Sequence, residues 1–584
     1  MSHQSLEKIK RYDAKAIARY YYLRPWLAVW RGISVVWQFA GFIIGLKVNR
    51  WFEGDRSQEN SQSGAQSCNR SAEQLRKILT RLGPTFIKVG QALSTRPDLI
   101  RADFLDELIK LQDQLPPFPT EQAYALIERE LDDNIEDLFS SIARQPVAAA
   151  SLGQVYEARL LSGEAVAVKV QRPGLLPIIT LDLFLMRWAA GWMAPFLPLN
   201  LGHDLQLIVD EFGTKLFEEI DYINEGRNAE RFATNFQNDP RVKVPSIFWR
   251  YSNTHVLTLE WIDGFKLTDI DRIKQENLEV DDLIEIGVTA GLQQLLEFGF
   301  FHADPHPGNL FAMPDGRMAY IDFGMMDQLS QAMKETLVDS LVHLINKDYD
   351  RLADDFVKLG FLTPETDITP IIPALETVFD NAIGESVEDF NFQTITDSFS
   401  ELMFDYPFRV PAKFALIIRS LITQEGLALT LNPAFKIVEV GYPYVARRLL
   451  TEETPEFRQR LLEVLFKGGK FQWERLENLI AIARTNASFD LLPSAQMGLQ
   501  YVMSEEGEHI RRQVMLSLVE NDRLHIEQVG RIWDLVKPEL QPDRLFNTAV
   551  SAIGSFSSQQ ATGLLPALAG LAGFQGTNEN RKQA

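Results

Sequence analysis

The 584-residue sequence contains one cysteine, Cys68, so no disulfide can form within the chain. That usage fits a reducing compartment. Basic residues are in deficit: 58 Lys and Arg stand against 79 Asp and Glu, a formal net charge of -21. The balance excludes general nucleic-acid binding, which needs a positive footprint. Long apolar runs are also scarce. In residues 26–46 only Arg31 is charged, yet the unbroken part, Gly32 to Leu46, is 15 residues. A spanning helix needs about 20. No repeat of fixed period occurs. A composition of 46% hydrophobic and 23% charged residues excludes a disordered chain and indicates several packed units.

What is present is unevenly placed. Residues 1–50 hold nine Lys or Arg against two Asp or Glu, a local +7 that leaves -28 on the rest. The same stretch carries Trp26, Trp30 and Trp37, flanked by Arg24, Lys47 and Arg50. Aromatic and basic flanks suit a membrane interface. Residues 1–54 therefore read as a membrane-associating arm, its apolar helix lying in the interface, with a helix packed on its own protein or a true span as the alternatives. Residues 55–71, rich in Ser, Gln and Asn and including Cys68, read as a linker. Ala72 to Leu131 has helical texture, broken at Gly83-Pro84 and around Pro116-Pro117-Phe118-Pro119. Pro146 to Val170 reads as strand, Ser162-Gly163 turn, strand. Leu205 to Phe236 reads as helix, and Val242 to Ile247 and His255 to Trp261 as strands. Helix then dominates, apart from strand-like pieces near Leu310 and from Met318 to Asp322. The apolar segment Gly563 to Phe574 is too short to span and could dock on protein or lipid.

The chemistry concentrates in one block. His302-Ala303-Asp304-Pro305-His306-Pro307-Gly308-Asn309 is followed, after an Asp315-Gly316 turn, by Ile321-Asp322-Phe323-Gly324. Phosphoryl transfer needs metal ions that bridge phosphate oxygens and a carboxylate that orients the attacking group. Asp304 and Asn309, five residues apart, match the positioning carboxylate and a metal ligand of a kinase catalytic loop. Asp322 matches the second metal ligand. The same block contains an alternating His302-x-Asp304-x-His306, which suits a transition-metal hydrolase. Pro305 and Pro307 would interrupt the strand that reading needs.

Upstream, Lys169 is the one charge near the end of an apolar strand, Glu164 to Val170. In kinases such a lysine meets the nucleotide phosphates and a helix glutamate. The candidates for that partner are Glu218, Glu219, Asp221 and Glu225, of which Glu218, Asp221 and Glu225 would share one helix face. No Gly-x-Gly-x-x-Gly precedes the lysine. Ala148, Ala149, Ala150 and Ser151 stand there instead, followed by Leu152-Gly153-Gln154-Val155. Alanine brings Cβ atoms where glycine lets backbone N–H groups close on phosphate. Ala148 to Ser151, Val155, Lys169, Glu260 and Ile262 form the expected cofactor-binding set for ATP or ADP with Mg2+. Only Met325 to Leu329 separate Asp322-Phe323-Gly324 from the next helical run, and no Ala-Pro-Glu follows. A peptide-holding platform is therefore missing or replaced.

The expected fold class is α+β: a two-lobed protein-kinase-like fold with N-terminal and C-terminal helical extensions. Its expected parts are a helical extension at 72–145, an N-lobe at 146–265, a C-lobe at 266–446 and a C-terminal helical region at 447–584.

With the Ala-rich loop, Lys88-Val89-Gly90-Gln91, Glu219-Ile220-Asp221-Tyr222 and the Asp304-to-Asn309 block together, the sequence resembles the UbiB family of atypical kinases, called ADCK-type in animals. The resemblance covers about Ala72 to Leu431. It implies that Lys88 and Gln91 belong to an extension folded across the active site, and that Glu219 and Asp221 contact that extension. Glu225 becomes the partner of Lys169, Asp304 the positioning carboxylate, and Asn309 and Asp322 the metal ligands. It further implies ATPase or small-molecule kinase activity supporting isoprenoid quinone or prenyl-lipid metabolism. The expected setting is the cytoplasmic side of a bacterial or organellar membrane, with membrane lipids, a prenyl-lipid substrate or lipid-biosynthetic enzymes as partners. Two rivals stand beside it: an antibiotic-phosphotransferase-like kinase, and a nucleotide-binding scaffold without catalysis.

Overall fold

The computed structural model describes residues 9–53, 61–94, 116–193, 205–345, 347–383 and 410–437, with scattered residues and short strands elsewhere. Two compact units result: residues 1–340 with 349–437, and residues 341–348 with 438–584. In the second unit the described strands are two small hairpins, Phe466–Lys467 with Lys470–Phe471 and Val519–Glu520 with Arg523–Leu524. Apart from these strands, the expected helical region 447–584, including Gly563 to Phe574, lies outside the described residues.

The first unit opens with helices α1 (Ala14–Tyr22), α2 (Pro25–Glu53), α3 (Ser61–Leu82) and α4 (Pro84–Leu93). Asp13 caps α1, its carboxylate accepting from the N–H groups of Lys15 and Ala16 at 3.0 Å each. The expected arm is thus partly folded protein. Ile17 and Tyr21 of α1 are buried in a cluster with Leu175, Ile179, Leu183, Leu216 and Phe217. The expected linker is also shorter than 55–71, because α3 begins at Ser61 and carries Cys68.

Arg31, the lone charge in the apolar stretch of α2, has a structural task. Its guanidinium donates to both carboxylate oxygens of Asp182, at 2.7 and 3.0 Å, and to the Leu82 carbonyl at 2.6 Å. Asp182 is fully buried on α6 (Leu175–Met193). Burial pushes its carboxyl upward, and the guanidinium opposes that shift. One ion pair therefore fixes α2 to α6 and to the end of α3.

Next come α5 (Thr120–Leu131) and a sheet of β1 (Phe139–Ile142), β2 (Ala148–Ala149), β3 (Gly153–Leu160), β4 (Ala165–Gln171) and β6 (Val256–Glu260). The order is β1-β3-β4-β6, with β2 paired to β3. All the pairings are antiparallel. β3 alternates as a half-buried strand should, with Tyr156, Ala158 and Leu160 inward and Glu157 and Arg159 outward. The inward residues meet Ala123, Leu126 and Ile127 of α5. The sheet thus starts at Phe139, ahead of the expected N-lobe boundary at 146, because β1 hydrogen-bonds β3 and cannot be separated from it.

Leu205 to Phe236 is not one helix. It is α7 (Leu205–Glu219) and α8 (Tyr222–Asn235). Asp221 has extended backbone and caps α8 through the Ile223 N–H. Glu218 and Asp221 therefore do not share a face with Glu225.

The C-lobe contains β5 (Val242–Lys243), β7 (Phe265–Lys266), α9 (Val280–Gln293), β8 (Phe300–His302), β9 (Leu310–Ala312), β10 (Met318–Tyr320) and β11 (Met326–Gln328). After these come α10 (Gln331–Ile345), α11 (Tyr349–Leu359), α12 (Ile372–Ile383) and α13 (Ala412–Leu431). Phe232 of α8 stacks on Phe236, Tyr320 and Phe323 with ring centroids 4.7, 4.9 and 5.3 Å away, which joins the two lobes. Gly291 of α9 faces Gln424 of α13. A Cβ there would collide with the Gln424 side-chain amide, which would have to shift.

Arg31→Ala should leave the Asp182 carboxylate buried and unpaired. The expected loss is about 3 kcal/mol of unfolding free energy, read by urea denaturation. Arg31→Ala combined with Asp182→Asn should recover part of it.

Candidate active site

Lys169 leaves β4 between two carboxylates. Its ammonium donates to Glu225 Oε1 and Oε2 at 2.7 and 2.9 Å and to Asp322 Oδ2 at 2.9 Å. Burial pushes the Glu225 carboxyl up to about 7, against the pull of Lys169. Burial pushes Asp322 the same way, but there Lys169 wins and holds the carboxyl well below its ordinary range. Burial alone would depress the Lys169 ammonium, yet Asp322 and Glu225 raise it well above its usual value. The cation stays charged because two anions need it.

The backbone around Asp322 is fixed from three sides. Asn228, one turn after Glu225 on α8, donates to the Phe323 carbonyl at 3.1 Å. The Gly324 N–H donates to Asp322 Oδ1 at 3.0 Å. His302 is fully buried; its Nδ1 accepts from the Asp304 N–H at 3.0 Å, so Nε2 carries the proton and donates to the Asp322 carbonyl at 2.9 Å. Burial favours that neutral imidazole. Gln294, at the turn after α9, accepts from the His302 N–H at 2.9 Å and so positions the start of the loop.

The β9–β10 hairpin brings Asn309 beside the residue before Asp322, where the Ile321 N–H donates to the Asn309 carbonyl at 3.1 Å. Asn309 Nδ2 also reaches the Asp304 carbonyl at 3.5 Å. Among the described residues no three His, Cys, Asp or Glu side chains gather as a metal site. An amide and a carboxylate still suit Mg2+, which keeps waters and phosphate oxygens in its shell. The His-x-Asp-x-His alternative is not assembled. Both ring nitrogens of His302 are engaged by backbone, His306 Nδ1 accepts from Gly308 N–H at 3.0 Å, and Asp304 turns to another partner.

That partner is Arg419 of α13, whose Nη2 donates to Asp304 Oδ1 at 2.8 Å. No sequence motif marked Arg419, since it sits 115 residues from Asp304. Lys413 of the same helix donates to the Gln328 carbonyl at 2.6 Å. α13 therefore lies along the segment after Gly324, where a peptide platform would otherwise begin.

The Ala-rich loop is a tight hairpin. Ala148 and Ala149 pair with Val155 and Gln154, and the Ala150 N–H donates to the Gly153 carbonyl at 2.8 Å. Val155 lies opposite Lys169 across β3 and β4. A Cβ on Gly153 would strike the Tyr222 hydroxyl and the Val170 carbonyl, so only glycine fits. The tip is held down: Ser151 and Leu152 are buried, Leu152 among α1, α6 and α7 residues. Gln154 exchanges two hydrogen bonds of 3.2 Å with the Phe118 backbone, and Arg172 reaches the Pro116 carbonyl at 3.1 Å. Glu260, placed with the cofactor set, gives its carboxylate to Lys243 at 2.7 Å and to the Ser246 N–H at 3.0 Å, while Ile262 is buried. Any contact from Glu260 to a nucleotide would come from its main chain.

The extension reaches this site through Lys88, whose ammonium pairs with Glu219 at low exposure on both sides, 8% and 15%. Glu219 packs beside Gly324, where an added Cβ would lie 3.6 Å from Glu219 Cγ and 3.8 Å from Glu225 Oε2. Asp221, expected next to Glu219 in the same role, is spent on capping α8. Gln91 donates to the Leu111 carbonyl at 2.7 Å and so secures the extension to itself.

Comparison with known proteins agrees with this geometry. Residues 110–356 match the family described as the ABC1 atypical kinase-like domain, and residues 375–436 match the UbiB helical domain. The chain is 64% identical over 561 residues to an uncharacterized protein of Synechocystis sp., covering 96% of this chain and 98% of that one. A chloroplastic protein of Arabidopsis thaliana, ACTIVITY OF BC1 COMPLEX KINASE 1, is 49% identical over 486 residues, covering 80% of this chain and 71% of its own. ACTIVITY OF BC1 COMPLEX KINASE 3 of the same plant is 44% identical over 509 residues, covering 87% and 70%.

Lys88→Ala should strand Glu219 in a buried setting beside Gly324. The expected cost is about 3 kcal/mol in denaturation, together with altered nucleotide turnover. A variant with wild-type melting temperature, nucleotide affinity and turnover would show that the extension does not act on the site.

Proposed function

The chain belongs to the ABC1/UbiB family of atypical kinase-like proteins, and from that premise we propose that it binds ATP with Mg2+ and hydrolyses it or passes its phosphoryl group to a small acceptor. The observation that carries this reading is Lys169 held between Glu225 and Asp322, with Asn309 brought beside the residue before Asp322. Bound Mg-ATP would supply the phosphoryl group and the cation that neutralises its developing charge. Lys169 would orient phosphate oxygens, Asn309 and Asp322 would hold the metal, and Asp304 would orient the acceptor. The loop Ala148 to Ser151 would limit how closely its backbone N–H groups approach the phosphates. The α13 helix along the post-Gly324 segment supports a small acceptor over a protein one.

A nucleotide-binding scaffold is the second reading, and the buried loop tip at Ser151 and Leu152 favours it. Turnover by the purified chain separates the two.

The proposed setting is a peripheral or monotopic position on the cytoplasmic side of a bacterial or organellar membrane, in support of isoprenoid quinone or prenyl-lipid metabolism. The support is an exposed aromatic surface: Trp26, Trp30 and Trp37 of α2 at 59%, 76% and 80% exposure, and Trp188 and Trp192 of α6 at 59% and 64%. Exposed apolar patches of this kind suit partner or lipid contact. α6 is long and apolar enough to cross a membrane by length and composition, but it packs against α1, α4 and α7. Arg31 likewise ties α2 to α6, which favours lying on the surface over spanning. A cavity of about 300 Å³ opens beside this face, lined by Tyr12, Tyr22, Phe184, Trp188 and Trp192 among others. Arg187 and Gln206 also line it, so it would suit an amphipathic group with a polar end.

Asp322→Asn should abolish Mg2+-dependent ATP binding in calorimetry and stop turnover, since a neutral amide no longer offsets the ion's charge. Unchanged Mg-ATP affinity would sink the assignment; tight binding with no turnover by the wild type would favour the scaffold. For the membrane, Trp30→Glu with Trp37→Glu should release the protein from anionic vesicles in flotation while leaving its melting temperature in place. Equal flotation would move the contact elsewhere. Deleting the arm is a poorer test, because Ile17, Tyr21 and Arg31 belong to the folded core.

A further inference from the structure

Arg419 is under-used by the protein. A guanidinium carries five N–H donors in a fixed fork. Among the described residues Arg419 makes one hydrogen bond, from Nη2 to Asp304 Oδ1 at 2.8 Å. Its Nη1 is buried with no hydrogen-bond partner. A buried donor left unpaired is costly, and for a cationic group more so. The side chain is nevertheless 21% exposed and its Asp304 partner 14%, so the pair can be reached from solvent.

The helix that carries it is held along its length. Lys413 is anchored on the Gln328 carbonyl, and Gln424 lies against Gly291. The fork can turn about its own side-chain torsions while its helix stays still. It sits on Asp304, whose neighbours in the site are Asn309 and, through His302, Asp322. No other cation is bonded to Asp304 among the described residues.

Resting on the phosphoryl-transfer reading above, we propose that Arg419 forms, beside Asp304, a subsite for a phosphate oxygen. The ligand class is a tetrahedral phosphate: the terminal group of a bound nucleotide, or inorganic phosphate formed from it. Guanidinium matches phosphate in geometry and charge and binds it by paired N–H groups. A phosphate arriving from the solvent side of the pair draws the fork partly away from Asp304. Nη1 gains a partner by the same rotation, and the Asp304 carboxylate is released to the acceptor. Arg419 thus reports the presence of phosphate to the positioning carboxylate.

The test uses the full chain loaded with Mg-ADP, with inorganic phosphate titrated in and binding read by calorimetry. Wild type should bind phosphate saturably. Arg419→Gln should weaken that binding by about tenfold or more, and Arg419→Lys, a point charge without the fork, by less. Mg-ADP affinity should stay the same in both, which also shows that the variants are folded. Asp304→Asn should tighten phosphate, because the carboxylate that competes for the guanidinium and repels the anion is gone. A structural role for Arg419 would not produce that gain. Phosphate affinity unchanged in Arg419→Gln, or no phosphate binding by Mg-ADP-loaded wild type, overturns the subsite. Failure of wild type to bind Mg-ADP at all overturns the nucleotide reading itself, and the subsite with it. To tell the two phosphate sources apart, Mg-ATP affinity is compared in the same proteins. A loss in Arg419→Gln confined to Mg-ATP and phosphate assigns the terminal phosphate; a loss confined to phosphate assigns the product alone.

Discussion

One ammonium organises the molecule's chemistry. Lys169 stands between Glu225 and Asp322, one buried and one partly exposed carboxylate that would otherwise repel each other. Each comes from a different part of the fold: β4, α8 and the turn after β10. Removing Lys169 would leave two acids facing each other in a poorly solvated place, which is far more costly than breaking a surface pair, whereas removing either acid would leave Lys169 paired with the other. The triad is therefore a structural joint as well as the core of the proposed site. Its two acids also differ in character. Glu225 lies deeper and is pushed up to about 7, whereas Asp322 is held low and is a third exposed. The acid that stays fully ionised is the one open to a metal.

Elements that would move in a protein kinase are fastened here. The loop over the expected phosphates has its tip in an apolar cluster with α1, α6 and α7, and its flank is bonded to Phe118. The segment after Gly324 is a short strand on β8, bound on one side by Lys413 and on the other by Lys215, which reaches Asp327 at 3.2 Å. Buried apolar packing and buried hydrogen bonds place these segments among the stable parts of a protein, away from the easily opened ones. Among the described residues the Arg419 guanidinium is one of several groups with a buried polar atom left unpartnered, Gln91, Arg172 and Tyr222 being others near the site.

The N-terminal helices connect two faces of the unit. α1 and α6 present aromatic residues outward and, on their other side, pack on Leu152 at the loop tip. Arg31 fastens α2 into the same assembly through Asp182. The proposed membrane face and the proposed phosphate loop thus share one apolar cluster.

Much was legible in the sequence. The spacing of Asp304, Asn309 and Asp322, the apolar strand with Lys169 and the alternation in β3 follow from local rules, because each depends on residues close along the chain. The family followed from short motifs for the same reason. Partner choice among distant residues did not. Glu218, Glu219, Asp221 and Glu225 looked alike as acids on a supposed single helix. The chain broke that helix at Asp221, because its carboxylate caps α8 better than it serves any pairing. Tertiary packing then sent Glu225 to Lys169 and Glu219 to Lys88. Arg31 read as an interruption and became a buried joint, since its partner lies 151 residues away. Arg419 and Gln294 had no signal at all. An arginine or glutamine on a helix is ordinary until the fold sets it against a carboxylate or a backbone N–H. Which chemical groups are present, and in what local order, can be read directly along the chain. Which charges meet is a matter of the fold, because burial makes each pairing costly to leave unmade and sequence distance places no limit on it.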